Sequence, residues 1–392
     1  MDIVKVRAWW AHKQGLDGAL HGTAPAEVLA RTGWARSVGG VNPYLQLFGR
    51  ARTPRERADA AMAALEIHEL PSARGCMYVL PADDYAIGLK IGEKGPLADV
   101  ALCEKLGVPR AEIDRLAGDV LTALDKAGAP LDPRELKNVL GDSVRNLGEA
   151  GKKKGLTTTL PVALGLLQAT GEIRRVPPSG RFDQQRFGYV PWTPPAAPTA
   201  EEARAALAHR YWTWTGGAAL KHFRWFSAFT AKDAKAAIEP LGLVPLDGDG
   251  DLLALPGDAA AYKDFVPPAE PAYSLLGWID GVTLLRRDLP TVLDPADAAR
   301  ELPRALSGKR LGEVKEPPAQ LIVDRGRMVG LWDYDPEAQK IVAASLVPRD
   351  DAFDEAVART EEFVRDQLGD ARGDSMDGPE SRRPRLDALR SL

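Results

Sequence analysis

The chain has 392 residues, of which 45% are hydrophobic, and its formal net charge at pH 7 is −4. This composition is typical of a globular protein, and the length predicts two to four domains. There is no run of about 18 apolar residues, the first seven residues are too charged for a secretory signal, and two cysteines make no disulfide framework, so we expect a cytoplasmic protein.

The first predicted unit covers residues 1–110 and consists of helices followed by a β-hairpin. Thr53 with Glu56 three residues later is a helix N-terminus signal. Two apolar runs that flank a short turn predict the hairpin over residues 66–80. Helices followed by a hairpin are the order of a winged helix, in which the hairpin is the wing.

The same order recurs twice along the chain. Residues 111–193 predict helices, a recognition helix over 158–170 and two strands joined by a basic loop. Residues 199–256 predict three helices and a third hairpin with its turn at 247–251. We therefore expect an α+β protein with three tandem winged helices.

The remaining residues follow a different pattern. Residues 257–348 predict a small β-rich domain, with one of its strands over Val282–Leu285. Residues 349–368 predict a C-terminal helix. The charged residues 369–392 lack apolar periodicity, so we expect a disordered tail.

The charge of the chain is unevenly distributed. Residues 150–190 contain seven Lys or Arg and only two Asp or Glu, although the calculated pI of the whole chain is about 5.9. A local basic surface is what binding to nucleic-acid phosphates requires. The alternative is a solvated lysine loop, and composition alone leaves both open.

Three motifs carry a resemblance to a known family. They are LQLFGR at residues 45–50, RGCMYVLPADDY at residues 74–85 and VDRGRMVGLW at residues 323–332. With these motifs and the order of its units, the chain resembles the bacterial winged-helix DNA glycosylases of the AlkZ/YcaQ-like superfamily over roughly residues 3 to 346. The resemblance implies three tandem winged helices, a basic DNA-binding surface and excision of alkylated or cross-linked purines.

The chain departs from this family in one segment. The resemblance implies a Gln-apolar-Gln or Gln-apolar-Asp tripeptide just before the first motif. The matching segment Gly33–Tyr44, here called the window, reads GWARSVGGVNPY and contains neither glutamine nor a carboxylate. Where related chains often have a hairpin histidine, this chain has Tyr78. The resemblance therefore supports DNA binding by this chain more firmly than it supports catalysis.

Three residues are candidates for the missing chemistry. Glycosidic hydrolysis needs a positioned water and stabilisation of an oxocarbenium-like sugar. Asn42 is the only amide in the window, although Asn42-Pro43 also reads as a turn. Glu66 and His68 alternate in the hairpin and would share one strand face as a water activator. The alternative for the hairpin is an ion pair of Glu66 or Glu69 with Arg74.

Nine further residues are candidates for contacts with DNA phosphates or bases. They are Arg36, Ser72, Arg74, Tyr78, Lys152, Lys153, Lys154, Arg174 and Arg175.

Three functional hypotheses are compatible with the sequence. The first is a DNA glycosylase acting on double-stranded DNA with alkylated or cross-linked purines. The second is a non-catalytic DNA-binding protein, either a lesion sensor or a regulator, and the third is a protein scaffold. Three winged helices in one chain suit a monomer that wraps one duplex. No cofactor is expected, because no His/Cys cluster has metal-ligand spacing and GKKKG at residues 151–155 lacks the spacing of a nucleotide loop.

Overall fold

The computed structural model describes residues 2–184, 186–248 and 250–392. Its mixture of helices and antiparallel sheets confirms the α+β class. The number of winged helices stays a prediction. None of the helices in the described ranges is both long and apolar enough to cross a membrane.

The helices are numbered along the chain. They are α1 Ile3–Lys13, α2 Pro25–Thr32, α3 Asn42–Ala51, α4 Arg55–Ala63, α5 Tyr85–Gly92, α6 Leu97–Lys105, α7 Arg110–Ala127, α8 Pro133–Leu140, α9 Gly148–Lys152, α10 Leu160–Thr170, α11 Ala200–Thr215, α12 Leu220–Ser227, α13 Ala231–Ile238, α14 Pro256–Asp264, α15 Gly281–Leu284, α16 Pro295–Ala298, α17 Asp351–Phe363 and α18 Pro379–Arg390.

The strands are numbered in the same way. They are β1 Ala35–Arg36, β2 Ile67–Pro71, β3 Met77–Pro81, β4 Ile173–Val176, β5 Gly188–Pro191, β6 Val244–Pro245, β7 Leu253–Ala254, β8 Tyr273–Leu276, β9 Gln320–Asp324, β10 Arg327–Asp335 and β11 Lys340–Ser345.

The chain forms two compact units. The larger unit comprises Met1–Ile67 and Ala205–Leu392, and the smaller unit comprises His68–Arg204. In the smaller unit, β2 and β3 are neighbouring strands, and the core is built from the apolar faces of α7 and α10. β5 lies between β4 and the single residue Leu131, which pairs with Tyr189.

A four-stranded antiparallel sheet organises the larger unit, with the strand order β11-β10-β9-β8. A turn at Arg325 and Gly326, both with positive φ, joins β9 to β10. A Cβ on Gly326 would lie 2.0 Å from the carbonyl oxygen of Arg7, so this part of the third motif requires glycine.

One predicted strand is wrong. Residues 282–284 lie in the short helix α15 instead, and Leu285 follows it. The Asp280 carboxylate accepts a hydrogen bond from the backbone N–H of Val282 and caps the helix. A run of four residues, three of them apolar, does not distinguish strand from helix by periodicity. The sequence analysis also missed β8 and α14. The predicted turn at 247–251 contains Asp249, which lies outside the described residues.

The C-terminal segment is ordered where the sequence predicts disorder. Residues 379–390 form α18, and Arg382 on this helix is fully buried. Its guanidinium group donates to both carboxylate oxygens of Asp370, at 2.6 and 3.0 Å, and to the carbonyl oxygen of Tyr334. The charge that suggested a solvated tail is therefore an internal ion pair.

This arrangement predicts that neighbouring arginines of α18 differ in their contribution to stability. Arg382→Met should lower the free energy of unfolding by about 3 kcal/mol, because it leaves Asp370 without its partner. Arg383→Met should cost less than about 1 kcal/mol, because Arg383 and its partner Glu337 are both exposed. Urea denaturation measures both values. Equal, small effects would mean that the segment does not pack as described.

Candidate functional site

The window is attached to one polar face of α3. Asn42, Gln46 and Arg50 are four residues apart and therefore share this face. The Asn42 side-chain amide donates to the carbonyl oxygen of Arg36 at 2.9 Å. The Gln46 amide donates to the carbonyl oxygen of Gly33 at 3.0 Å. These two bonds fix the chain just before β1 and at its last residue.

A buried ion pair fixes α3 itself. Arg50 donates to both carboxylate oxygens of Asp280 at 2.8 Å, and both side chains are 0% exposed. Arg50 also donates to the Gln14 side-chain oxygen, and the Gln14 amide donates to the carbonyl oxygens of Thr32 and Trp214. This network, here called the α3 network, joins α1, α2, α3, α11 and α15.

Asn42 is the first residue of α3 and is 2% exposed. Its side-chain oxygen has no hydrogen-bond partner in the part of the chain that the structure describes. A Cβ on Gly277 would lie 2.3 Å from this oxygen, so Gly277 permits the close approach. The Asn42 side chain therefore ties the first residue of α3 to the backbone of Arg36 and leaves one amide oxygen unused.

The hairpin candidates have different environments. Glu66 is exposed and precedes β2, after Leu65 with a φ of 58°. His68 lies in β2 and is 2% exposed. The shared strand face predicted for Glu66 and His68 is therefore absent, because the left-handed residue places Glu66 in a turn.

His68 lies in an aromatic environment within the smaller unit. Its ring centroid is 6.4 Å from that of Tyr85 and 6.1 Å from that of Trp192, and neither ring nitrogen has a hydrogen-bond partner among the described residues. Burial, followed by the nearby Arg174 guanidinium, lowers the pKa of His68 to about 3. At neutral pH the ring is therefore uncharged.

The arginines of β4 contact the hairpin. An Arg175 guanidinium nitrogen lies 3.7 Å from a Glu69 carboxylate oxygen, and its guanidinium carbon is 4.9 Å from the centroid of the Phe187 ring. Glu69 thus pairs with Arg175, and the alternative pair with Arg74 stays a prediction. Arg174 is half-buried, and burial lowers its pKa, opposed by Tyr85.

The remaining DNA-contact candidates differ in accessibility. Ser72 and Tyr78 are buried, so neither presents its side chain to a ligand. Arg36 is half-buried and donates to the carbonyl oxygen of Ser37. Arg74 is exposed in the hairpin turn with a φ of 63°.

The lysine cluster is exposed. Lys152, Lys153 and Lys154 lie at the end of α9, and the Lys152 amine is 3.8 Å from a Glu149 carboxylate oxygen. Exposed pairs of this length are weak, so these amines are accessible to phosphate.

Sequence reasoning missed the α3 network. The sequence analysis contains Gln46 and Arg50 only as part of the LQLFGR motif. The four-residue spacing of Asn42, Gln46 and Arg50 was the available signal. The partner Asp280 is 230 residues away from Arg50 in the chain, and one sequence gives no means to pair them.

The comparisons with known proteins establish the class. The family model described as DNA glycosylase AlkZ-like matches residues 37–377. The chain therefore belongs to the AlkZ-like DNA glycosylase family, and the resemblance drawn from the three motifs is confirmed.

A solved structure is similar over nearly all of the chain. It is the Streptomyces sahachiroi DNA glycosylase AlkZ, with a TM-score of 0.69 and 20% sequence identity, covering 95% of this chain and 98% of that chain. At this identity the likeness shows the fold. No curated protein matches the sequence.

The environment of His68 predicts a pH dependence of stability. Since its pKa falls from about 6.5 in the unfolded chain to about 3 in the fold, the unfolded state binds more protons between these values, and stability decreases as the pH falls. His68→Phe should remove this loss. The unfolding free energy of the variant relative to wild type should rise by about 2 kcal/mol between pH 7 and pH 5.

Chemical denaturation at the two pH values measures this difference. His209→Phe on the exposed surface of α11 is the matched control and should show a pH-independent difference. If His68→Phe behaves like the control, His68 is not held neutral by burial.

Proposed function

We propose that this protein binds duplex DNA and hydrolyses the N-glycosidic bond of N7-alkylated purines. Membership of the AlkZ-like DNA glycosylase family over residues 37–377 is the observation that carries the proposal. Duplex DNA with alkylated or cross-linked purines is then the substrate, and the three winged helices contact it.

The order and pairing of elements support the winged helices. The smaller unit contains, in chain order, α7, Leu131, α8, α9, α10, β4 and β5, and Leu131 pairs with β5. In the next repeat, α11, Ala218, α12, α13, β6 and β7 follow one another, and Ala218 pairs with Leu253 of β7. Each repeat is thus a helix, a one-residue strand, further helices and a hairpin.

The start of the chain has the same order of elements. A helix, a short strand, two helices and two longer strands follow one another as α2, β1, α3, α4, β2 and β3. Three such repeats support three winged helices, followed by the four-stranded sheet.

The exposed basic residues supply the contacts with DNA phosphates in this proposal. Lys152, Lys153 and Lys154 are exposed in the smaller unit, and Arg74 is exposed in the hairpin turn. Phosphate contacts of this type give salt-dependent affinity with little sequence preference. α10 is less suited to base readout than the sequence predicts, because most of its residues are buried.

Cleavage of the glycosidic bond needs little catalytic assistance from the protein when the base is cationic. An N7-alkylated purine carries a positive charge on the leaving group, so the step needs a positioned water more than an acid. Asn42 is the proposed positioning group, because its N–H binds the Arg36 carbonyl and its oxygen has no partner. This oxygen is covered without DNA, so access requires a local shift when DNA binds.

A non-catalytic lesion sensor is the second candidate. The composition of the window favours it, because the window contains no carboxylate. The side-chain amides of Asn42 and Gln46 both donate to backbone carbonyl groups. Of the other catalytic candidates, His68 is buried and neutral, whereas Glu66 is exposed.

An end-labelled duplex with a single N7-methylguanine tests the proposal. Incubation with the protein, followed by alkali, should break the strand at the modified base. Asn42→Ala should reduce the single-turnover rate by about 10²-fold or more if its amide positions the water, whereas His68→Phe should retain it. Glu66→Gln tests the remaining carboxylate.

The result that would overturn the catalytic proposal is an intact strand in a duplex that the protein binds. In that case the protein is a lesion sensor. No binding at any salt concentration would contradict both candidates.

A further inference from the structure

Two arginines meet where α3 ends beside α17 in the larger unit. The Arg52 guanidinium carbon is 5.4 Å from the centroid of the Phe48 ring. Phe48 stacks on Phe363, with ring centroids 3.9 Å apart and an interplanar angle of 5°. Arg359 precedes Phe363 by four residues and lies on the same face of α17. The stacked rings thus bring the turn of α17 that carries Arg359 close to the end of α3 that carries Arg52.

A histidine joins them from a third segment. The backbone N–H of Gly22 donates to the carbonyl oxygen of Ala51 at 2.9 Å, so His21 lies next to Arg52. Burial, then Arg52 and Arg359, lowers the pKa of His21, and Asp17 opposes this shift. Three basic side chains from three parts of the chain therefore share one location.

These basic groups lack acidic partners in the described ranges. Neither Arg52 nor Arg359 forms an ion pair with another described residue, and the buried Arg359 Nε has no hydrogen-bond partner among them. The acid nearest to His21 in sequence, Asp17, is held by His12 at 2.6 Å. Burial, and then Arg359, lowers the pKa of Arg52 to about 10.

The acids of α17 that form ion pairs do so elsewhere. Glu361 pairs with Lys340, and Asp354 pairs with Arg349. Two guanidinium groups that lie close together without a neighbouring carboxylate repel each other. Each guanidinium group can donate two parallel hydrogen bonds, so the pair suits a tetrahedral oxyanion such as phosphate.

We infer that Arg52, Arg359 and His21 form a binding site for a phosphate group. Resting on the proposed function, the ligand is a backbone phosphodiester of the bound duplex, because arginine clusters bind such groups bidentately. Free inorganic phosphate shares the same chemistry, and the experiment separates the two sources.

Two measurements on Arg52→Gln and Arg359→Gln test the site. The first is the affinity for a duplex as a function of salt concentration. Each variant should bind about tenfold more weakly at about 0.1 M salt, and the slope of log affinity against log salt should fall by about one. The second is the melting temperature in inorganic phosphate relative to chloride at equal ionic strength, where wild type should gain more than the variants.

Arg365→Gln is the matched control. Arg365 lies six residues beyond Arg359, is exposed and pairs with Asp366, so its replacement should leave the slope and the phosphate effect unchanged. In chloride, Arg52→Gln and Arg359→Gln should melt no lower than wild type, because each removes a like-charge repulsion.

The outcomes are distinguishable from failure of the proposed function. If wild type does not bind DNA, the proposed function fails and the phosphate measurement alone decides the site. Loss of phosphate stabilisation with unchanged DNA affinity supports the site but excludes the backbone source. Variants that match wild type in both measurements, or that only melt lower in chloride, overturn the inference.

Discussion

The buried ion pair between Arg50 and Asp280 is the constraint on which the candidate site depends. Both side chains are fully buried, and breaking one partner of such a pair typically costs about 3–5 kcal/mol. The pair fixes α3 against α15, and Gln14 extends it to α1, α2 and α11. With α3 fixed, Asn42 and Gln46 hold the carbonyl groups of Arg36 and Gly33, so the conformation of the window follows from a charge pair remote from it in sequence.

The three motifs that carry the family resemblance preserve the packing of the fold more than they supply catalytic groups. Gly49 of the first motif allows α3 to approach Leu276, since a Cβ there would lie 3.0 Å from that side chain. Gly75 of the second motif has a φ of 66°, and Gly326 of the third lies against Arg7. Glycines at close contacts and turns preserve packing. The window can therefore differ in its chemical groups while the surrounding structure keeps the family's form.

Much of the local structure was accessible from the sequence, because its causes are local. The capping box at Asp132 and Glu135 and the strands of the hairpin that contains His68 follow from neighbouring residues. The site was not accessible in the same way. Asp280 and Arg50, or Arg382 and Asp370, become partners only through tertiary packing, and alternation in a strand does not reveal that His68 is buried while Glu66 lies in a turn. The charged composition of residues 369–392 predicted a disordered tail, whereas the ion pair of Arg382 with Asp370 holds α18 in the fold.

Hydrogen–deuterium exchange of the window in Asp280→Asn is the most direct measurement of this account. The substitution keeps the shape of the side chain and removes the charge that pairs with Arg50. If the pair fixes α3 and α3 fixes the window, the amides of residues 33–44 should exchange at least about tenfold faster than in wild type, under conditions where the smaller unit exchanges unchanged. Unchanged exchange in the window of a folded variant would show that the window is held by something other than α3, and would contradict the account.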